Sequence, residues 1–254
     1  MGSAQLFFKF FMKNYIKIMV LLCAVHMSNA QEQNRSHSSS WNSFIPTVRI
    51  DNSFYVTSEF HFRRTHFLQD WEQFIARPAI HFKKNETYDF ALGYSYIRNY
   101  AFSDFTIPIN ANEHNLWQQV QLNHVQEKIK FKHRFRLEER FIDKIATDIT
   151  GNSDTDGTTY NHRFRYRFTL TRPILKISDT KSISIELFDE LFINLEEGTR
   201  PKSFNQNWIY AGLGYPITSK IGLGIGYHNI GLKGGTHTFI TNHIVQTTFT
   251  YVMN

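Results

Sequence analysis

One cysteine serves the whole 254-residue chain, and it stands at Cys23, inside the first thirty residues. Beyond it the chain can build neither a disulfide framework nor a thiolate metal site. Long hydrophobic runs are missing too. No stretch approaches the roughly twenty apolar residues of a membrane-spanning helix, so any spanning falls to strands. Helical periodicity of useful length is absent, and no repeat larger than a hairpin recurs.

Chemical signatures are equally scarce. No His-Glu-x-x-His or other tight metal spacing occurs. Gly-x-Ser-x-Gly is missing, and Ser58, Ser95 and Ser184 have no recognisable histidine and acid grouping around them. Asp154-Thr-Asp-Gly157 is a fragment of a calcium loop and reads better as turn chemistry in an exposed loop. Gly222, Gly224 and Gly226 are spaced by two with no helix following, which is a strand pattern rather than a nucleotide loop. No cofactor is implied.

The first thirty residues read as an export signal. Met12-Lys-Asn-Tyr-Ile-Lys17 is a short basic start, and Ile18 to Val25 is a short apolar run. Ser28-Asn-Ala30 places small residues before a cut at Gln31. Lipoprotein processing at Cys23 is the rival, and Leu22 before it argues against acylation. Lys9, Lys13 and Lys17 leave with the leader, so the net charge falls from +6 to +3. So balanced a chain behind an export signal does not read as a nucleic-acid binder, despite its interleaved arginines and aromatics.

What the chain does have is aromatic side chains and alternation. Aromatics make up 16% of it, with 24 phenylalanines. In Ile129 to Phe141 the odd positions are mainly apolar, whereas Lys130, Lys132, Arg134, Arg136, Glu138 and Arg140 share the other face. Tyr160, Phe164, Tyr166 and Phe168 likewise back onto Arg163, Arg165 and Arg167. Glu186 and Glu190 follow on the even face of the next segment, and Gln119, Gln121 and Asn123 form a softer polar face before it. Asp189 interrupts an apolar face; it is either a bulge that flips the register, the favoured reading, or a lipid-face charge with a partner.

Strand patterns cover 41–50, 54–64, 73–83, 87–98, 114–126, 129–142, 159–172, 182–195, 204–217, 221–230 and 239–253. Short connections alternate with long ones at 65–72, 99–113, 143–158, 196–203 and 231–238, the arrangement of turns on one side of an outer membrane and loops on the other. The expected fold is all-β: a single antiparallel up-and-down transmembrane barrel of ten to twelve strands. Single-chain bacterial barrels have even strand numbers, so the eleven patterns predict ten or twelve wall strands. Residues 1–30 are then the leader, 31–40 a flexible polar terminus and 41–254 the barrel.

Arg134-Phe-Arg-Leu-Glu-Glu-Arg-Phe141, Arg163-Phe-Arg-Tyr-Arg-Phe168, Glu186-Leu-Phe-Asp-Glu-Leu-Phe192 and Asn207-Trp-Ile-Tyr-Ala-Gly-Leu-Gly-Tyr215 resemble, in order and spacing, a set of outer-membrane proteins from Bacteroidetes-type bacteria. That family is known only as a domain of unknown function. The resemblance covers Trp41 to the C-terminus and implies a membrane barrel with no assigned catalytic residue.

Charges facing lipid would be costly, about 2–4 kcal/mol for an arginine at the midplane. They are therefore expected to line the lumen, either as a self-neutralising network or as an anion-selecting wall. Trp41, Trp71, Tyr88, Tyr100, Trp117, Tyr160 and Trp208 are candidates for interface girdles. Three functions remain: a narrow, weakly anion-preferring channel or passive transporter; a closed structural or surface-interaction barrel with a charge-plugged lumen; and, least favoured, a lipid-modifying enzyme. The implied partners are outer-membrane lipid, lipopolysaccharide and the barrel-assembly machinery; no soluble ligand is indicated.

Overall fold

A computed structural model describes residues 33–253, apart from 67, 104–105, 196–200 and 235–237. The expected leader, 1–30, lies outside the described residues. Eleven strands follow one another: β1 (Gln33–Arg49), β2 (Phe54–Thr65), β3 (Asp70–Lys83), β4 (Tyr88–Asn99), β5 (Ala111–Gln126), β6 (Ile129–Thr147), β7 (Ser153–Lys176), β8 (Ser182–Leu195), β9 (Pro201–Pro216), β10 (Ile221–Gly234) and β11 (Thr238–Met253). They form one closed barrel in sequence order.

Every consecutive pair is antiparallel. Ten such steps leave β1 and β11 pointing the same way, so the pair that closes the barrel is parallel. Eleven lies within the expected ten to twelve strands and corrects only the expectation that the number is even. Even numbers follow only when every pair, closure included, is antiparallel. Phe44 of β1 stacks on Phe249 of β11 across the closure, ring centroids 5.8 Å apart.

The polar stretch 31–40, expected as a flexible terminus, is strand from Gln33 onward. Ser39 begins the pairing with β2, opposite Thr65. Ladder bonds are made by the backbone, so serine and histidine do not prevent them.

Short turns cluster at one end and carry side-chain caps. The Asp51 carboxylate accepts the amides of Ser53 and Phe54, both at 2.7 Å. Asn85 does the same for Thr87 and Tyr88, and Thr218 for Lys220 and Ile221. These are the Asx and hydroxyl turns that let a strand reverse in a few residues.

At the other end the connections are shorter than the sequence implied, because strands extend into them. Among the described residues, only 100–110 is a long loop. Most of 143–158 is a projecting hairpin of β6 and β7 around a tip at 148–152. Asp154 to Gly157, expected in a loop, lies in β7. Gly157 takes φ of 80° where Asp156 and Gly157 lie opposite the single residue Lys144, a bulge that only glycine enters cheaply.

Alternation is kept around the wall. Outside stand Leu92, Val120, Phe135, Leu187, Ile209 and Ile225, all exposed. Inside stand the polar and aromatic residues. Asp189 does not flip the register: β7–β8 pairing runs unbroken through Phe168↔Asp189. It stays on the outer face, where Asn207 Nδ2 donates to its Oδ1 at 2.5 Å.

Candidate functional site: a charged lumen

The register of β6, β7 and β8 decides the electrostatics of the interior. Glu138 lies opposite Arg163, Arg136 opposite Arg165, and Arg134 opposite Arg167. Arg167 in turn lies opposite Glu190. Two of these cross-strand pairs set arginine against arginine, which would be destabilising alone. Two carboxylates resolve them.

Glu138 accepts Arg163 Nε at 2.6 Å and Arg165 Nη1 at 2.7 Å. Glu190 accepts Arg134 Nη2 at 2.5 Å, Arg165 Nε at 2.8 Å and Arg167 Nε at 2.7 Å. Arg165 thus joins the two carboxylates into one chain of ion pairs. Glu138 and Glu190 are 1% and 0% exposed, and Arg136 and Arg165 are 2% and 3%. Ions buried this deeply persist only when paired and hydrogen-bonded, which this geometry supplies for Glu138, Glu190 and Arg165; Arg136 Nη1 makes no hydrogen bond and lies 4.0 Å from Glu138 Oε1.

The remaining walls bring further partners. Glu113 takes a bidentate clasp from Arg140 at 2.7 and 2.9 Å. Arg77 donates to Glu59 at 2.9 Å and to Ser95 at 2.9 Å, and Ser95 also accepts the Trp117 indole N–H at 3.0 Å. Asp89 accepts the Tyr55 hydroxyl at 2.6 Å and lies 3.1 Å from His81. Gln119 Oε1 accepts both Nε and Nη2 of Arg136, whose guanidinium sits 3.8 Å from the Trp117 ring centre.

Aromatic rings fill the space between the charges. Arg63 of β2 lies 3.4 Å over Trp41 and 5.4 Å from Trp208 of β9. Arg165 of β7 lies 4.3 Å over Phe192 and 5.6 Å from the same Trp208. Trp208 therefore meets guanidinium groups from opposite sides of the wall. Tyr210 lies over Gly212 and Gly226, so a Cβ at either glycine would meet its phenol ring. That is the room the alternating glycines of β10 leave inside.

Of the expected lining residues, Arg134, Arg136, Glu138, Arg140, Arg163, Arg165, Arg167, Glu190 and Gln119 meet in this network. Gln121 and Asn123 face inward beside it and pair with each other at 2.9 Å. Lys130, Lys132 and Glu186 keep the inward parity but make none of these ion pairs; Lys130 is exposed near the short-turn end. Three expected girdle residues are corrected. Trp41 and Trp117 are buried in the lumen in separate clusters, and Trp208 packs against Trp41. Trp117 shares parity with Gln119, so alternation puts it inside with the amides.

The family described as a protein of unknown function, DUF2490, matches residues 38–238. The chain belongs to the DUF2490 family. No curated protein and no solved structure matches it. The matched span runs from within β1 to the first residue of β11, so it takes in the whole network of this DUF2490 barrel.

Sequence reading missed Glu59, Arg63, Glu72, Arg77, Asp89 and Glu113 in the DUF2490 lumen. For Glu59, Arg63 and Arg77 the signal was present as parity. Tyr55, Thr57, Glu59, His61 and Arg63 alternate with Phe54, Val56, Phe60 and Phe62. Glu72 had no such signal: a register shift opposite Arg63 and Arg64 turns it inward.

Proposed function

We propose that this protein is an outer-membrane barrel sealed across its lumen, acting as a structural or surface-interaction element through its long-loop end. The observation that carries this reading is the burial of Glu138 and Glu190 beneath arginines that cross-link three consecutive strands. An anion-conducting wall needs guanidinium groups that face water and lack fixed counter-ions. Here Glu59 of β2, Asp89 of β4 and Glu113 of β5 add negative charge that the β6–β8 segment alone does not have.

Membrane placement rests on the outer face. Large apolar side chains are exposed on β2 through β11, whereas soluble monomers rarely expose contiguous apolar patches beyond a few hundred Å2. Trp71, Tyr88 and Tyr160 remain outside as girdle candidates. Outer-membrane lipid, lipopolysaccharide and the assembly machinery are the partners this placement implies.

The test is twofold. The protein should fractionate with outer membranes, and the purified barrel should insert into a planar bilayer without discrete current steps. Glu138→Ala with Glu190→Ala should then open measurable conductance. Steady wild-type steps with an anion-favouring reversal potential would replace the sealed reading with the channel.

A further inference from the structure

Toward the short turns the inward side chains are small or polar and keep contact with water. Thr47, Thr57, Gln121, Asn123 and Thr171 are all half-exposed there. A Cβ at Gly214 would meet nothing within 4 Å, and one at Gly224 nothing nearer than 3.7 Å. This half of the lumen is an open cup. The buried ion pairs, which sit farther along their strands, form its floor, and its mouth lies at the short-turn end.

Three residues on the wall of the cup run in a line from carboxylate to imidazole to hydroxyl. Asp89 Oδ1, near the start of β4, lies 3.1 Å from His81 Nδ1, and Thr57 Oγ1 lies 3.0 Å from His81 Nε2. Tyr55 stacks on the imidazole with centroids 4.3 Å apart and donates its hydroxyl to Asp89 Oδ2 at 2.6 Å. The ring is therefore held on one face and at both nitrogens. An ionised carboxylate can only accept, so His81 Nδ1 carries the proton that faces Asp89. Nε2 is left bare, able to take the proton of Thr57. That is the order of nucleophile, base and acid that acyl transfer uses.

The neighbours of Thr57 suit an incoming carbonyl. Thr47 stands directly opposite it on β1, so a second hydroxyl is within cross-strand reach of an oxyanion formed there. Ala79 is its partner on β3 and takes up little space. A similar line joins Ser43, His61 and Glu59. There the hydroxyl residue is only 7% exposed and the acid is already engaged by Arg77, so that line is closed to a substrate.

We propose that Thr57, His81 and Asp89 form a hydrolytic site for short-chain carboxylic esters that enter through the short-turn end. Thr57 Oγ1 attacks the ester carbonyl carbon as its proton passes to His81 Nε2. The bond from that carbon to the alcohol oxygen breaks, and His81 returns the proton to the leaving alkoxide. Thr57 is left as an acyl ester. Water then gives a proton to His81 Nε2 and attacks the same carbon; the carboxylic acid departs and Thr57 regains its proton. The polar wall gives a long acyl chain nothing to pack against, which selects a short one. The site goes beyond a structural role and needs only the open cup, whether the network above it seals or conducts.

The experiment follows hydrolysis of p-nitrophenyl acetate by the purified full-length protein in lauryldimethylamine oxide, a detergent without ester bonds. Peptide mass spectrometry locates the acyl group. The wild type should turn over repeatedly and carry a transient acetyl group on Thr57. Thr57→Val, which keeps the side-chain shape, should abolish both, and Thr57→Ser should restore both. Asp89→Asn, which holds the wrong tautomer of His81, should lower the rate about a hundredfold or more. Ser43→Ala should leave it unchanged. Heat-modifiable gel migration reports the folding of each variant. No turnover by the folded wild type overturns the proposal. So does turnover undiminished in Thr57→Val, an acetyl group confined to other residues, or loss of turnover in folded Ser43→Ala.

Discussion

Arg134 and Arg167 stand directly opposite each other on β6 and β7, and both donate to Glu190. Like charges in register are tolerated because one carboxylate from β8 lies within reach of both. Removing that charge leaves three guanidinium groups short of a partner, Arg165 buried and Arg134 and Arg167 half-buried. Glu190→Gln should therefore lose about 3–5 kcal/mol of stability, the scale for breaking a buried pair. Guanidinium unfolding of the micelle-held barrel, followed by tryptophan fluorescence, measures it. A loss below about 1 kcal/mol, typical of exposed pairs, would mean that water reaches the network.

Gly93 is held open by Trp117. A Cβ there would fall within the indole ring, so Gly93→Ala should destabilise by about 1–3 kcal/mol, the range for overpacking. Trp117→Leu should cost stability by itself, yet the double variant should be less destabilised than the sum of the two. Additivity in that cycle would place the ring elsewhere.

Parallel closure predicts a specific neighbour. The chain has no cysteine after Cys23, so Phe44→Cys with Phe249→Cys adds the only thiols after that residue. A short bis-maleimide should join them, because the native rings stack at 5.8 Å. Phe44→Cys with Val245→Cys serves as the offset control and should react more slowly. No cross-link in the first pair would mean that β1 is not the closing strand.

The projecting hairpin should be acid-sensitive at its tip. The Thr150 hydroxyl, then the Asn152 amide, holds the Asp148 carboxyl below its usual range. A depressed folded value means the tip is stabilised above the unfolded value, about 3.9, and that this is lost as pH falls through the lower folded value. Amide shifts of Thr150 and Asn152 followed by NMR should titrate together, below pH 3.9. Midpoints at or above that value would remove Asp148 as the organiser.

Parity made much of the site legible. Once strands are assumed, Arg136, Glu138, Arg165 and Glu190 must share the inside, because a side chain in a strand has only two faces to choose from. The same rule would have found Glu59 and Arg77. It also shows why Trp117 could not serve at an interface: as an interface residue it was judged by its type, whereas its face is set by its neighbours Asn115 and Gln119.

The sequence by itself determined the all-β class, the eleven segments and which side chains share a face, since each follows from a local period of two. It could not determine that β1 closes on β11 in parallel, that Glu190 gathers arginines from two other strands, or that Asn242 of β11 reaches Glu72 of β3. Those depend on register between strands and on the curvature of the closed wall. They join residues as far apart as Glu72 and Asn242, and no local pattern encodes a distance across a lumen.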